Sequence, residues 1–163
     1  MTPEQRHNCM AAVKSKNTKP EMIVRRYLHS LGFRYGLHNR KLPGSPDLVL
    51  RKYKTVIFIH GCFWHGHEGC PLFRIPKSNV EFWVNKVRLN KDRDTKVKHH
   101  LEELGWRVII IWECDLKVKS KREIVLNKLR QTLESVNNQK YESFEGHSVQ
   151  IAAEPPFDYK NLD

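Results

Sequence analysis

The sequence predicts one α/β domain, in which helices flank a mixed sheet. Three observations support this fold class. Helical hydrophobic spacing alternates with short runs of β-branched residues, one of those runs is continuous enough for a buried strand, and 39% of the 163 residues are hydrophobic. We divide the chain into a basic N-terminal arm, a central domain and a C-terminal extension that we expect to be loosely ordered; they cover residues 1–19, 20–136 and 137–163 respectively.

Three helices are predicted from hydrophobic spacing and from end signals. The first follows Thr18, which is spaced for a capping box with Glu21, and it ends at Gly32. The second is long and highly charged, and Gly105 ends it. Apolar residues at helical spacing indicate a third. The predicted ranges are about 19–31, 79–104 and 121–136.

Three strands are predicted between and after these helices. Residues 47–50 and 55–60 are rich in β-branched and apolar residues, and their short charged connection predicts a hairpin. Residues 107–112 form a continuous apolar run, which predicts a central strand that is buried on both faces. Residues 61–76 are dense in His, Cys, Gly and aromatic residues, which predicts a loop whose shape depends on something other than regular hydrogen bonding.

Composition restricts the function classes. The formal net charge is +11 and the pI is near 9.6, which favours a polyanionic partner, most commonly nucleic acid. The longest apolar stretches are far short of the roughly 20 residues that a membrane span needs. The polar N-terminus has no apolar segment typical of a secretory signal, so we expect a cytoplasmic protein with no membrane partner.

Cysteine and histidine residues form a candidate metal site. Cys62, His67 and Cys70 fall within nine positions, and Cys114 follows the last predicted strand. Three thiolates and one imidazole suit tetrahedral Zn²⁺, and four protein ligands indicate a structural role. The alternative is that the cysteines are small buried apolar residues. Cys9 lies apart from this set, and we interpret it as a free thiol.

A carboxylate and two histidines form a candidate catalytic group. Asp47 follows Pro46 at the start of a predicted strand, and His60 and His65 lie at the end of its hairpin partner. Phosphodiester hydrolysis needs oxygen ligands for a divalent cation and a group that exchanges protons near neutral pH. Histidine titrates in that range.

Several motifs closely resemble the very-short-patch repair (Vsr) mismatch endonucleases. The resemblance spans about residues 5–135, and the most specific block is His-Gly-Cys-Phe-Trp-His at 60–65. Where the wider nuclease superfamily has Glu-x-Lys on its second strand, this chain has Phe-Ile-His at 58–60, as the Vsr family does. The other matching segments are Leu-Pro-Gly-Ser-Pro-Asp at 42–47, Glu-Phe-Trp at 81–83, Leu-Gly-Trp-Arg-Val at 104–108 and Trp-Glu-Cys at 112–114.

The resemblance implies a restriction-endonuclease-like fold, with residues 20–136 as the catalytic domain and a structural zinc. It implies Mg²⁺-dependent nicking of double-stranded DNA 5′ to the thymine of a T:G mismatch, in repair of deaminated 5-methylcytosine. We expect a monomer, with other mismatch-repair proteins as further partners.

The resemblance also assigns residues to roles. It implies that Asp47 and the backbone carbonyl of Ile59 bind Mg²⁺, that His60 and His65 are catalytic, and that Glu21 belongs to the same site. We interpret His65 as the leading general base, with His60 assisting protonation or charge stabilisation. The implied zinc ligands are Cys62, His67, Cys70 and Cys114; the implied DNA contacts are Phe63, Trp64 and Trp83, which wedge beside the mismatch, and Met10 and Val13 in the minor groove.

Alternatives remain at this stage. Glu21 could serve the helix cap, orient His65, or do both. The three aromatic residues could pack in the core. For the whole protein, the alternatives are a zinc-organised DNA-binding module without catalysis, a general restriction-like nuclease that cuts matched duplex, and an adaptor for anionic proteins.

Overall fold

A computed structural model describes Glu4 and residues 16–145. It contains a mixed sheet with helices on both faces, as the sequence predicts, but the sheet has four strands, because Gly36–Leu37 adds one to the three predicted. A 3₁₀ turn, Arg51–Tyr53, joins the second and third strands. The elements in chain order are α1 (Lys19–Ser30), β1 (Gly36–Leu37), β2 (Leu48–Leu50), β3 (Thr55–His60), α2 (Val80–Glu103), β4 (Arg107–Trp112), α3 (Glu113–Lys117) and α4 (Lys119–Glu145).

The sheet order is β1-β2-β3-β4, and it mixes both kinds of strand pairing. β1 with β2 and β2 with β3 are antiparallel, while β3 and β4 are parallel. The parallel pair needs a long crossover, which the loop after β3 and helix α2 supply. Since His60 pairs with Trp112, the carboxyl ends of β3 and β4 lie side by side. The histidine and cysteine residues that follow these two strands therefore lie at this end of the sheet.

Alternation along the strands divides the core into two layers. Leu48, Leu50 and Ile57 face the larger layer, which α1, α3 and α4 cover. Val49 and Val56 point to the opposite face and pack with residues of α2. Side chains in a strand alternate between faces, so even these short strands serve both layers.

Strand β4 corrects one expectation from the sequence. Within the described residues it is the last strand of the sheet, not a central one. Ile111 is only 3% exposed, whereas Ile110 on the other face is 36% exposed. Val108 and Ile110 line a cavity beneath α2, so the continuous apolar run forms a cavity wall in addition to core.

The chain ends differ from the predicted elements. Helix α4 begins at Lys119 and continues to Glu145, nine residues beyond the predicted end at 136. Residues 146–163, and Met10 and Val13 in the arm, lie outside the described residues. Among the helices that are described, none combines the length and apolar character that crossing a membrane requires.

Candidate active site and metal cluster

A cavity of about 350 Å³ opens between the sheet and α2 at the end of the sheet where Asp47 lies. Asp47, Ile59, His60 and His65 all line it, so the structure brings together the predicted catalytic group. Asp94 of α2 is a further acidic wall residue. Residues from a loop, a strand and a helix thus converge on one space large enough for a phosphodiester group and a hydrated cation.

The turn before β2 sets the position of Asp47. Gly44 has a φ of +69°, and a Cβ there would lie 2.4 Å from Cγ1 of Val97 on α2, so only glycine fits this approach. Asp47 Oδ2 accepts a 2.7 Å hydrogen bond from the backbone N–H of Ile59, which ties the carboxylate to β3. Burial raises the pKa of Asp47 above its usual value, and the charge of Glu21 adds to this, while the Ile59 hydrogen bond opposes it. A cation beside Asp47 would relieve this cost.

The backbone N–H of Glu21 takes part in the helix cap, and the Glu21 side chain enters the site. Its N–H donates to the Thr18 hydroxyl at 3.4 Å, which confirms the predicted cap. The carboxylate is buried, and its Oε1 lies 3.4 Å from Arg25. Oε1 also lies 3.0 Å from Nε2 of His38, but the angle between them does not suit a hydrogen bond. His38 Nδ1 is 3.8 Å from Asp47 Oδ1. The His38 ring therefore lies between the two carboxylates.

The two predicted catalytic histidines form a stack. The rings of His60 and His65 are 3.7 Å apart and nearly parallel. His65 Nδ1 lies 2.5 Å from Asp94 Oδ2, so Asp94 orients His65 directly, and a contribution of Glu21 to that orientation stays a prediction. Burial, together with the charge of His65, lowers the pKa of His60 to about 4. Although burial opposes ionisation of Asp94, the hydrogen bond and charge of His65 keep its pKa below the usual range.

The four predicted metal ligands also converge. Cys62, His67, Cys70 and Cys114 each place one ligand atom within 4.8 Å of the others. Cys114 Sγ lies 3.4 Å from His67 Nδ1, close to the roughly 3.6 Å between sulfur and nitrogen ligands of a tetrahedral zinc. Burial and the neighbouring thiols raise the pKa of Cys114 to about 12, so a bound cation is needed to favour the thiolates. The donor set and spacing fit a metal ion.

Three aromatic side chains form a partly exposed cluster beside the cavity. Centroids of Phe63, Trp64 and Trp83 are 5.1 to 6.2 Å apart, and all three rings are half-buried. They belong to neither core layer among the described residues, which removes the core-packing alternative. Asn90 of α2 donates a 2.8 Å hydrogen bond to the carbonyl of Trp64 and so anchors the loop. Phe82, 60% exposed, extends this cluster through Trp83.

Sequence reasoning missed two residues of the site. His38 lies in none of the motifs that the sequence analysis singles out, and Asp94 lies within the long, highly charged second predicted helix. A helical-wheel signal for Asp94 exists, since Asn90, Asp94 and Val97 recur at helical spacing and face the loop or the cavity. His38 has no such local signal, because its partners Glu21 and Asp47 are distant in sequence.

Comparison with known proteins defines the class first. The fold is similar to the homing endonuclease I-Bth0305I catalytic domain, with a TM-score of 0.50 and 19% identity, over 74% of this chain and 98% of that chain. The two domains thus share an α/β fold, and in this chain the mixed sheet has an acidic and histidine-lined cavity at one end.

Sequence relatives then identify the family. Residues 1–71 match the family model described as DNA mismatch endonuclease Vsr. The Type II nicking enzyme V.NmeAIP of Neisseria meningitidis serogroup A / serotype 4A is 48% identical over 128 residues, 78% of this chain and 91% of that protein. The DNA mismatch endonuclease Vsr of Escherichia coli K12 is 42% identical over 112 residues, 69% of this chain and 71% of that protein. The chain belongs to the Vsr family of DNA mismatch endonucleases.

Proposed function

We propose that this protein nicks one strand of double-stranded DNA 5′ to the thymine of a T:G mismatch, in very-short-patch repair of deaminated 5-methylcytosine. The observation that carries the proposal is the shared cavity of Asp47, His60 and His65, next to an exposed aromatic cluster. The first feature suits phosphodiester hydrolysis, and the second suits entry into a weakened base stack.

Asp47 and the backbone carbonyl of Ile59 are the proposed Mg²⁺ ligands, with Glu21 nearby. The half-buried carboxylate of Asp47, with its raised pKa, and the buried carboxylate of Glu21 fit a site that accepts a cation. Bound there, Mg²⁺ would polarise the scissile phosphate and stabilise developing negative charge. Arg93 and Lys98 also line the cavity and are placed to contact phosphate.

His65 is the proposed general base. Since Nδ1 faces Asp94 at 2.5 Å, Nε2 is left to take a proton from the attacking water. Asp94 fixes the tautomer and stabilises the imidazolium that forms, as the aspartate does in a serine protease triad. His60 has a pKa of about 4, so it is neutral near pH 7 and acts as a hydrogen-bond donor to developing charge rather than as a protonated acid.

The aromatic cluster is the proposed mismatch reader. Stacking on an aromatic side chain contributes about 1–3 kcal/mol per base, which offsets the few kcal/mol needed to unstack a step. A mispair is cheaper to open than a matched pair, so a wedge of Phe63, Trp64 and Trp83 favours mismatched sites. Met10 and Val13 remain proposed minor-groove contacts.

Zn²⁺ is the proposed ion of the cysteine cluster. Three thiolates and one imidazole leave no open position, so the role is structural. The cluster joins the loop that carries Phe63, Trp64 and His65 to Cys114 in α3, just after β4. Zinc would therefore hold the loop in a shape that hydrophobic packing alone does not fix.

The test uses duplexes of one sequence that contain either T:G or T:A, labelled on each strand, with Mg²⁺. We expect a single cut 5′ to the mismatched thymine, no cut in the T:A duplex, and loss of cutting in Asp47→Asn. The control Asp92→Asn, on the exposed surface of α2, should nick normally. Equal cutting of both duplexes would indicate a general nuclease, and mismatch binding without cutting would indicate a binding module.

A further inference from the structure

His60, His65 and Asp94 form a second group of metal-ligating side chains, separate from the cysteine cluster and without Asp47. Each offers one ligand atom, and these atoms lie within 4.8 Å of one another. Together they supply two imidazole nitrogens and one carboxylate oxygen, all at the wall of the active-site cavity.

This donor set differs in kind from the proposed Mg²⁺ site. Imidazole nitrogens suit Zn²⁺, Co²⁺ and Ni²⁺, whereas Mg²⁺ prefers oxygen ligands. Ligand atoms at about 2.0–2.2 Å from a tetrahedral zinc are roughly 3.4 Å apart, so binding requires the His60 and His65 rings to turn out of their parallel stack and the 2.5 Å His65–Asp94 hydrogen bond to open. Three protein ligands leave one position open for water or for a phosphate oxygen.

Surrounding contacts keep the three side chains next to one another in the metal-free protein. His60 ends β3 and packs edge-on against Trp112 of β4 at 5.4 Å. His65 stacks on His60, and Asp94 projects from α2 to reach it. The side chains of His65 and Asp94 are 21% and 20% exposed, so an ion can reach them from the cavity.

We propose that His60, His65 and Asp94 form an inhibitory site for a transition-metal ion, of which Zn²⁺ is the natural candidate. The ion would occupy the lone pair of the His65 imidazole and would hold Asp94 as a ligand. The His65–Asp94 pair could then no longer transfer a proton. Inhibition of nicking rests on the proposed function, but binding of the ion does not. Free zinc would thereby control an enzyme that already uses zinc in its framework.

Binding is tested on full-length protein that carries one equivalent of zinc in its cysteine cluster. Titration with Co²⁺ should load one further equivalent, with the weak visible bands of a nitrogen and oxygen site and without a thiolate charge-transfer band. His60→Ala and Asp94→Ala should lose this equivalent, and His29→Ala, an exposed histidine of α1, should keep it. The absence of a second equivalent in the wild type, or its persistence in all variants, would overturn the proposal.

A variant that keeps its first zinc equivalent and its melting transition is folded. If His60→Ala does not fold, His60→Asn takes its place. With a T:G duplex and constant Mg²⁺, added Zn²⁺ should stop nicking, and a chelator matched to the excess should restore it. If the protein nicks normally but binds no second ion, the inhibitory site alone is wrong. If it binds the ion but nicks nothing, the proposed function alone is wrong.

Discussion

The substitution Asp94→Asn tests whether the His65–Asp94 pair moves a proton in the reaction. Asparagine is nearly isosteric and can still accept a hydrogen bond from Nδ1, so the ring position should persist while the negative charge is lost. A hydrogen bond to a charged group is worth about 1.5–3 kcal/mol and one between neutral groups about 0.5–1.5 kcal/mol, so the variant loses about 1–1.5 kcal/mol. At 1.36 kcal/mol per factor of ten, this loss corresponds to a kcat about 5 to 13 times lower.

Single-turnover nicking of a T:G duplex at saturating enzyme separates this chemical effect from binding. The rate constant should fall in Asp94→Asn, while the Kd for the duplex stays within about twofold of the wild type, since Asp94 is no proposed DNA contact. Asp92→Asn, two residues away on the exposed surface of α2, removes the same charge and should keep the wild-type rate. An unchanged rate in Asp94→Asn, or a change in Kd alone, would refute the role assigned to this pair.

Three further predictions concern the metal ligands and their neighbours. Asp47→Asn should stabilise the metal-free protein at pH 7 by about 0.5–2 kcal/mol, as mutations that relieve a costly active-site group do. Because folding raises the pKa of Asp47, the stability of the wild type should decline as pH rises through that pKa. Denaturant titration at several pH values should therefore find a flatter profile of stability against pH in the variant. Cys114→Ser should lower the free energy of unfolding by about 4 kcal/mol or more through loss of the metal, and zinc content should fall with it, whereas Cys9→Ser should change neither. His38→Ala should lower the free energy of unfolding by only about 0.5–1 kcal/mol, because the Glu21 carboxylate keeps its hydrogen bond from Arg25 and loses only the nearby ring. The same unfolding assay measures this; a loss of about 3 kcal/mol or more would contradict the minor role assigned to His38.

Local signals account for the parts of the fold that the sequence predicted well. Helix α1 was expected over 19–31 and is found at Lys19–Ser30, because Thr18 and Gly32 mark both ends within a few residues of chain. The hairpin strands were expected at 47–50 and 55–60, and their observed ranges, Leu48–Leu50 and Thr55–His60, agree closely. In each case one short segment holds all the information needed.

Strand β4 shows where local signals mislead. An apolar run of strand length is typical of a central strand, but here β4 is the last strand of the described sheet, and Val108 and Ile110 line the cavity beneath α2. Periodicity reports which residues avoid water on average and not which neighbour covers them. The position of a strand within its sheet depends on how the other strands pair, and no segment of β4 encodes that.

The sequence by itself determined the chemistry available to this protein: a set of aromatic residues, three cysteines with one histidine, and a carboxylate with two histidines in family-specific spacing. Only the tertiary structure decided which groups share a proton or a charge, since it placed Asp94 against His65 from 29 residues away and His38 between Glu21 and Asp47. The physical reason is that hydrogen bonds act over about 3 Å. Such contacts depend on how α1 and α2 are set against the sheet, and that packing is a property of the whole chain.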